Sequence, residues 1–348
     1  MRVVVTGATG NVGTSTLEAL RADERVESIV GIARRRPDLE LRKVEWVPAD
    51  VRSADLVSLF RGADAVIHLA WLIQPSRDEQ ELESVNVVGS ERVFGAAADA
   101  GVPRLVHASS VGAYSPGPKD RFVDESHPTD GIESSFYSRH KAATERILDR
   151  LESSTDSISV VRLRPALIFK REAASGIRRL FAGPFLPNAL VNRSLIPLVP
   201  AVPGLRFQAV HSLDVGDAYR RAAFSDADGA FNIAAEPVLD PDRLAELLGA
   251  RPVRVPGSAL RAVASATWRL HLQPSPPGWV DMGLNVPLMS TERARRELGW
   301  EPSRTSEEAL LELLDGLRNG EGFPTPPLDP GTGGPLRVRE LATGVGAR

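Results

Sequence analysis

The run Thr6-Gly7-Ala8-Thr9-Gly10-Asn11-Val12-Gly13 constrains this chain most. It follows Val3-Val4-Val5 directly and opens an amphipathic stretch. A turn this tight needs backbone angles that only glycine adopts cheaply, and a side chain at Gly10 would block a pyrophosphate approaching the helix N-terminus. Backbone amides and the helix dipole then hold the anion. The strand, turn and helix context is the one the motif requires, so Gly7, Thr9, Gly10, Asn11, Val12 and Gly13 are the expected phosphate-side contacts of a dinucleotide.

The pattern that follows agrees. Apolar, β-branched runs at 2–5, 27–32, 44–48, 64–69, 104–108 and 158–163 alternate with helical periodicity at 11–22, 53–61, 78–101 and 137–152. Such alternation predicts an α/β, doubly wound parallel sheet of Rossmann type, covered on both faces. Beyond residue 170 the pattern loosens, and 173–206 mix Pro, Gly and apolar residues. Strands are expected again at 207–211 and 230–234, and helices at 213–225, 240–249, 257–271, 291–298 and 305–318. The expected division is a Rossmann domain over 1–170 plus 207–234 and a smaller, discontinuous C-terminal substrate domain over 171–206 plus 235–320. Residues 321–348, rich in Pro and Gly, read as an extended or mobile tail.

Two positions bear on which dinucleotide binds. The second strand ends in Ala33-Arg34-Arg35-Arg36 rather than in a carboxylate that would take a ribose 2′-hydroxyl. Arg34 and Arg35 are placed to pair with a 2′-phosphate, which favours NADP over NAD. Arg is abundant here, so the position of the triplet carries the argument. Asp50, with Val51, follows strand three. It is read either as an acceptor for the adenine amino group or as the N-cap of helix 53–61. Leu69 and Ala70 end strand four beside the cofactor path.

Tyr137 and Lys141 stand four apart at the start of a helix, hence on one face. The chain has three Tyr and four Lys, so composition alone would produce such a pair with a chance of about 3%. An ammonium beside a phenol favours the phenolate, and Tyr137 is then able to exchange a proton with a substrate oxygen while hydride moves. Ser109 and Ser110 end strand five, in the crevice where open α/β sheets bind ligands. A Lys141–Glu145 ion pair is compatible with this role.

At this point the sequence resembles a known family. TGATGNVG, ADV, DAVIHLA, ASSVGAY, YSRHK and RLRP fall in the order and spacing of the extended short-chain dehydrogenase/reductases, the NAD-dependent epimerase/dehydratase group. The resemblance runs over about residues 1–320 and includes VHSLDVGDA and STERARRELGWEP. It implies sheet order 3-2-1-4-5-6-7, Ser110 rather than Ser109 as the catalytic serine beside Tyr137 and Lys141, and a homodimer through the helices at 78–101 and 137–152. Two departures bear on substrate. Ser110-Val111-Gly112 lacks the paired carboxylates of the family's sugar dehydratases, and Leu167 stands where nucleotide-sugar epimerases place an Asn.

The leading expectation is an NAD(P)-dependent oxidoreductase acting on a carbonyl or secondary alcohol. The alternatives are an epimerase that reduces and reoxidises its NAD within one turnover, and a catalytically silent dinucleotide-binding sensor. A lid over 176–206, offering Ile177, Leu180, Phe181, Phe185, Leu186, Leu190, Leu195 and Ile196 with Trp71 and Leu72, reads as an apolar pocket or as plain core. His68 and His107 read as satisfied core residues, and His211 as facing the pocket or the domain seam. No His, Asp or Glu cluster has ligand spacing, so no metal is expected. A net charge of -3 gives no pull toward nucleic acid or an anionic membrane, which leaves a small molecule as the expected partner. No apolar run approaches a membrane span, no leader pattern precedes Val3, and zero Cys fits a reducing, cytoplasmic setting.

Overall fold

The computed structural model describes residues 1–74, 76–181 and 197–333. Seven parallel strands form the central sheet: β1 (Arg2–Thr6), β2 (Ser28–Ala33), β3 (Val44–Pro48), β4 (Ala65–His68), β5 (Arg104–Ala108), β6 (Ser159–Pro165) and β7 (Gly229–Ile233). Their order is β3-β2-β1-β4-β5-β6-β7. The chain reverses direction across the sheet between β1 and β4, and there the C-terminal strand ends open a crevice. Val3, Val4, Val5, Ile67 and Val106 are fully buried, since helices cover both faces and each strand must be apolar on both sides.

Four helices position the site: α1 (Asn11–Ala22), α2 (Gly89–Asp99), α3 (Phe136–Ser154) and α4 (Ser212–Phe224). On one face α1 packs on α4, where a Cβ on Gly216 would lie 2.5 Å from the Ser15 carbonyl oxygen. On the other, α2 and α3 cover Val4, Val66 and Leu105.

Local chemistry reshaped two expected helices, and tertiary packing added one that was not expected. The helix expected at 53–61 is only Leu56–Phe60, because Asp55 caps it by accepting from Ser58 N. Asp50 instead accepts from the Arg52 backbone N at 2.9 Å, so its cap role does not hold. The helix expected over 78–101 is interrupted by a π-turn at Ser84–Val88. A helix at Gly278–Asn285, absent from the sequence reading, docks so tightly that a Cβ on Gly278 would sit 2.2 Å from Ser134 O.

Beyond the main sheet, short parallel pairs join 167–169 to 209–211, 198–201 to 251–254, and 122–123 to 288–289. The first stretch of the expected tail is not extended. Thr325 is 1% and Leu328 4% exposed, and the Thr325 hydroxyl donates to Thr9 O at 2.8 Å. Of the expected lid, Phe185, Leu186, Leu190, Leu195 and Ile196 lie outside the described residues, as does the tail beyond 333. No helix among the described residues is long and apolar enough to cross a membrane.

Candidate active site

A cavity of about 820 Å³ runs along the C-terminal ends of the strands, from the glycine-rich turn to Tyr137. Its inner half is a dinucleotide cradle built from backbone. Gly7 has φ of +70°, and a Cβ there would lie 2.6 Å from Ala70 N; one on Gly13 would lie 2.3 Å from Gly7 O. These glycines let β1, β4 and α1 approach closely enough for the turn to present its amides at the start of α1. Thr9, Gly10, Asn11, Val12, Leu69 and Ala70 line the same wall, with Arg34, Arg35, Asp50 and Val51 farther along. Arg34 and Arg35 are exposed at the end of β2. The Arg52 guanidinium engages both oxygens of Asp50 and holds its carboxyl below the usual carboxylate range, with Arg34 adding to the effect. Every residue expected to contact a dinucleotide thus lies on one surface.

The far half holds Ser110, Tyr137 and Lys141, all three lining the cavity. Ser135 caps α3, and the Ser138 hydroxyl donates to Gly112 O while accepting from Ile132 N at 2.6 Å. These bonds tie the first turn of α3 to the loop after β5, where Gly112 N donates to the Ser110 hydroxyl at 3.0 Å and a Cβ on Gly112 would lie 2.9 Å from the Tyr137 ring. Ser109 faces the other way: it is 3% exposed and donates to Glu145 Oε1 at 2.5 Å.

Glu145 is fully buried, and Arg164 and Arg162 hold its carboxyl down at about 2. It therefore pairs with the two arginines and not with Lys141. Lys141 Nζ instead donates to Ala108 O at 2.6 Å and lies 3.3 Å from the centroid of the Trp71 ring. Burial holds the Lys141 amine well below its usual range. Burial also pushes the Tyr137 phenol up to about 12, with the nearby Ser110 hydroxyl acting the other way. The expected shift toward phenolate is thus reversed. Nζ is 5.7 Å from the Tyr137 ring centroid, and desolvation of the phenol outweighs it.

Several functional positions carried no signal in the sequence. Asn86, in the π-turn, accepts from Leu72 N at 2.7 Å and donates to Leu72 O at 2.8 Å, fixing the loop that carries Trp71. A π-turn of this kind often marks a functional site. Trp279, from the unanticipated helix, lies 5.0 Å from the Tyr137 ring and 4.9 Å from Phe181. Met282 lines the cavity below it. The remaining histidines stay outside. His68 is bonded to Thr6 and Ser90, whereas both ring nitrogens of His107 lack a partner, which corrects its reading as satisfied. His211 caps α4 and faces Glu312 at the seam.

A parallel sheet that binds at its switch point, with a Ser, Tyr and Lys set at the far end of the groove, defines an extended short-chain dehydrogenase/reductase. The chain belongs to the NAD dependent epimerase/dehydratase family, whose model matches residues 3–234. It is 29% identical over 344 residues to the "3 beta-hydroxysteroid dehydrogenase/Delta 5-->4-isomerase" of Mycobacterium tuberculosis, covering 90% of this chain and 89% of that protein. It is 28% identical over 347 residues to the "4-hydroxy-2-methyl-3-oxo-4-farnesyl-3,4-dihydroquinoline-1-oxide ketoreductase" of Stigmatella aurantiaca, covering 92% and 98%. An uncharacterized M. tuberculosis protein is 29% identical over 93% of this chain, which spans only 31% of that relative's length. Among solved structures, the NAD complex of Thermus thermophilus UDP-glucose 4-epimerase superposes with a TM-score of 0.67 at 24% identity, over 91% of this chain and 99% of that one. At that identity the likeness speaks for the fold.

Proposed function

We propose that the chain is an NAD(P)-dependent oxidoreductase that interconverts a carbonyl and a secondary alcohol, with NADPH as the preferred dinucleotide. The observation that carries this reading is the set of Ser110, Tyr137 and Lys141 gathered on one cavity wall at the far end of the cradle. The fit of the cofactor rests on the close backbone approach that Gly7 and Gly13 permit, which presents the amides at the start of α1 to the cavity. When bound, the dinucleotide supplies or takes the hydride. Tyr137 donates its proton to the carbonyl oxygen as the alcohol forms, and Ser110 steadies that oxygen as charge builds on it. Lys141 holds the nicotinamide ribose and keeps α3 in register with Ala108. Arg34 and Arg35 meet the 2′-phosphate, and Asp50 the adenine edge.

The named activities of the hydroxysteroid dehydrogenase and ketoreductase relatives support the reaction class. Leu167, apolar and facing the cavity, weakens the epimerase alternative. The silent-sensor alternative leaves the gathered Ser110, Tyr137 and Lys141 without a purpose. The protein is further proposed to be a cytoplasmic homodimer pairing through α2 and α3, with no nucleic-acid or membrane partner. Tyr137→Phe tests the reaction: dinucleotide binding survives and NADPH-linked ketone turnover falls by orders of magnitude. Equal turnover in the variant refutes the mechanism.

A further inference from the structure

The outer half of the cavity, beyond Ser110, has a chemistry of its own. Trp279 is tilted 36° to the Tyr137 ring, and Phe181 meets Trp279 edge-on at 88°. Trp71 closes the opposite side, its ring 5.9 Å from that of Tyr137. Leu167 and Phe181 are 39% and 38% exposed, large apolar surfaces turned to the cavity rather than to the core.

Two polar side chains there are committed to the protein, while the Trp71 indole nitrogen has no partner. Gln74 Nε2 donates to Leu180 O at 3.2 Å, and Arg179 Nη2 donates to Pro327 O. A diphosphate entering this half would exchange water for apolar walls and aromatic faces, a costly transfer for a charged group.

We propose that this half is a clamp for a flat, apolar fused-ring ketone or secondary alcohol. The ring system lies against Trp279, with Phe181 and Leu167 at its edges, and its oxygen meets Ser110 and Tyr137. The assignment rests on the oxidoreductase reading for the chemistry of the oxygen but on the aromatic walls for binding. Stacking on an indole together with apolar burial favours such a ligand over a compact or charged one. Trp279 is thus a specificity-determining residue supplied by a helix outside the main sheet, held against the α3 entrance by the close approach of Gly278 to Ser134.

The test is calorimetric titration of the NADPH-loaded protein with progesterone and with UDP-glucose, separate from any assay of turnover. Progesterone is expected to bind at least tenfold more tightly than UDP-glucose; the reverse order overturns the clamp. Trp279→Ala is expected to weaken progesterone binding about tenfold and Trp279→Phe to restore most of it. NADPH affinity, measured on the same samples, reports that each variant is folded. Unchanged progesterone affinity in Trp279→Ala also overturns the clamp. If progesterone binds as expected but no ketone is turned over with NADPH, the clamp stands and the oxidoreductase reading falls. If cyclohexanone is reduced in a Tyr137-dependent way while progesterone fails to bind, the reverse holds.

Discussion

The Ser109 hydroxyl donates to Glu145 Oε1 at 2.5 Å, while its neighbour Ser110 accepts from Gly112 N at 3.0 Å and lines the cavity with Tyr137. Adjacent residues at a strand end point in opposite directions, so the two serines are chemically distinct despite their shared sequence context. Ser110→Ala is expected to cut turnover about a hundredfold, the scale of losing one donor to a developing oxyanion, with little change in melting temperature. Ser109→Ala is expected to cost about 1–3 kcal/mol of stability, since a buried carboxylate loses a donor, and to leave most turnover in place. Paired melting and turnover measurements decide it. A Ser109 variant that folds normally and is inactive would reassign the serine.

Glu145 anchors more than Ser109. It bridges Arg162 and Arg164 on β6, and Arg164 also donates to the Tyr114 hydroxyl at 3.0 Å. Glu145→Gln leaves the buried Arg164 guanidinium without its counter-charge and removes one of the three carboxylates paired with Arg162. Removing one partner of a buried pair costs about 3–5 kcal/mol, so denaturant unfolding should show a loss of that size. A loss below about 1 kcal/mol would mean that Asp149 and Glu152, which also pair with Arg162, suffice.

How far the sequence foretold this arrangement depends on the range of the forces involved. The seven strands and α1, α3 and α4 announce themselves through local periodicity, and the cradle through glycines whose need is local. Helix Gly278–Asn285 does not, because its stability comes from docking on Ser134 and not from the residues Gly278-Trp279-Val280-Asp281 themselves. Trp279 could have been found only by asking what brings an indole to Tyr137 from far along the chain. The π-turn at Ser84–Val88 is hidden for a similar reason: Asn86 is rewarded for bonding Leu72, a tertiary contact. Likewise, the sign of the Tyr137 shift follows from burial, which residue spacing does not report.

Buried histidines make the protein acid-sensitive. Burial lowers His68 to about 3 and His140 to about 4, and His107 well below its usual value. All three are depressed below their unfolded values near 6.5, so the unfolded chain binds more protons in that window. Stability is complete above about pH 6.5 and falls as pH drops toward the folded values, each group contributing up to about 1.4 kcal/mol per pH unit. Glu145, depressed to about 2, adds a further loss below its unfolded value of 4.5. His107→Leu removes one of these groups together with its two unpartnered ring nitrogens. Its denaturant midpoint should fall less than the parent's between about pH 7 and about pH 5. Identical pH dependence would contradict the assignment.

Arg34 and Arg35 stand exposed at the C-terminal end of β2 and line the cavity. Charge-assisted bonds to a phosphate are worth about 1.5–3 kcal/mol. Arg34→Ala combined with Arg35→Ala should therefore weaken NADPH binding by at least tenfold and leave NADH binding nearly unchanged. Fluorescence titration with both dinucleotides distinguishes this from a general loss of fold. Equal weakening of both would place the two arginines elsewhere in the binding mode.

The segment after residue 321 closes the cradle from above. The Thr325 hydroxyl donates to Thr9 O at 2.8 Å, Pro326, Pro327 and Leu328 line the cavity, and Ser175 holds Glu321 through both its backbone N and its hydroxyl. Thr9 belongs to the glycine-rich turn, so the C-terminal segment and the proposed dinucleotide site share one wall. Ordering of that segment and dinucleotide binding should then reinforce each other. Thr325→Val keeps the shape and removes the donor, a loss of about 1 kcal/mol. The variant is expected to bind NADPH about fivefold more weakly, chiefly through faster dissociation, because the wall opens more often. Stopped-flow displacement of NADPH measures this directly. An unchanged dissociation rate would show that the segment packs on Thr9 without governing retention of the cofactor.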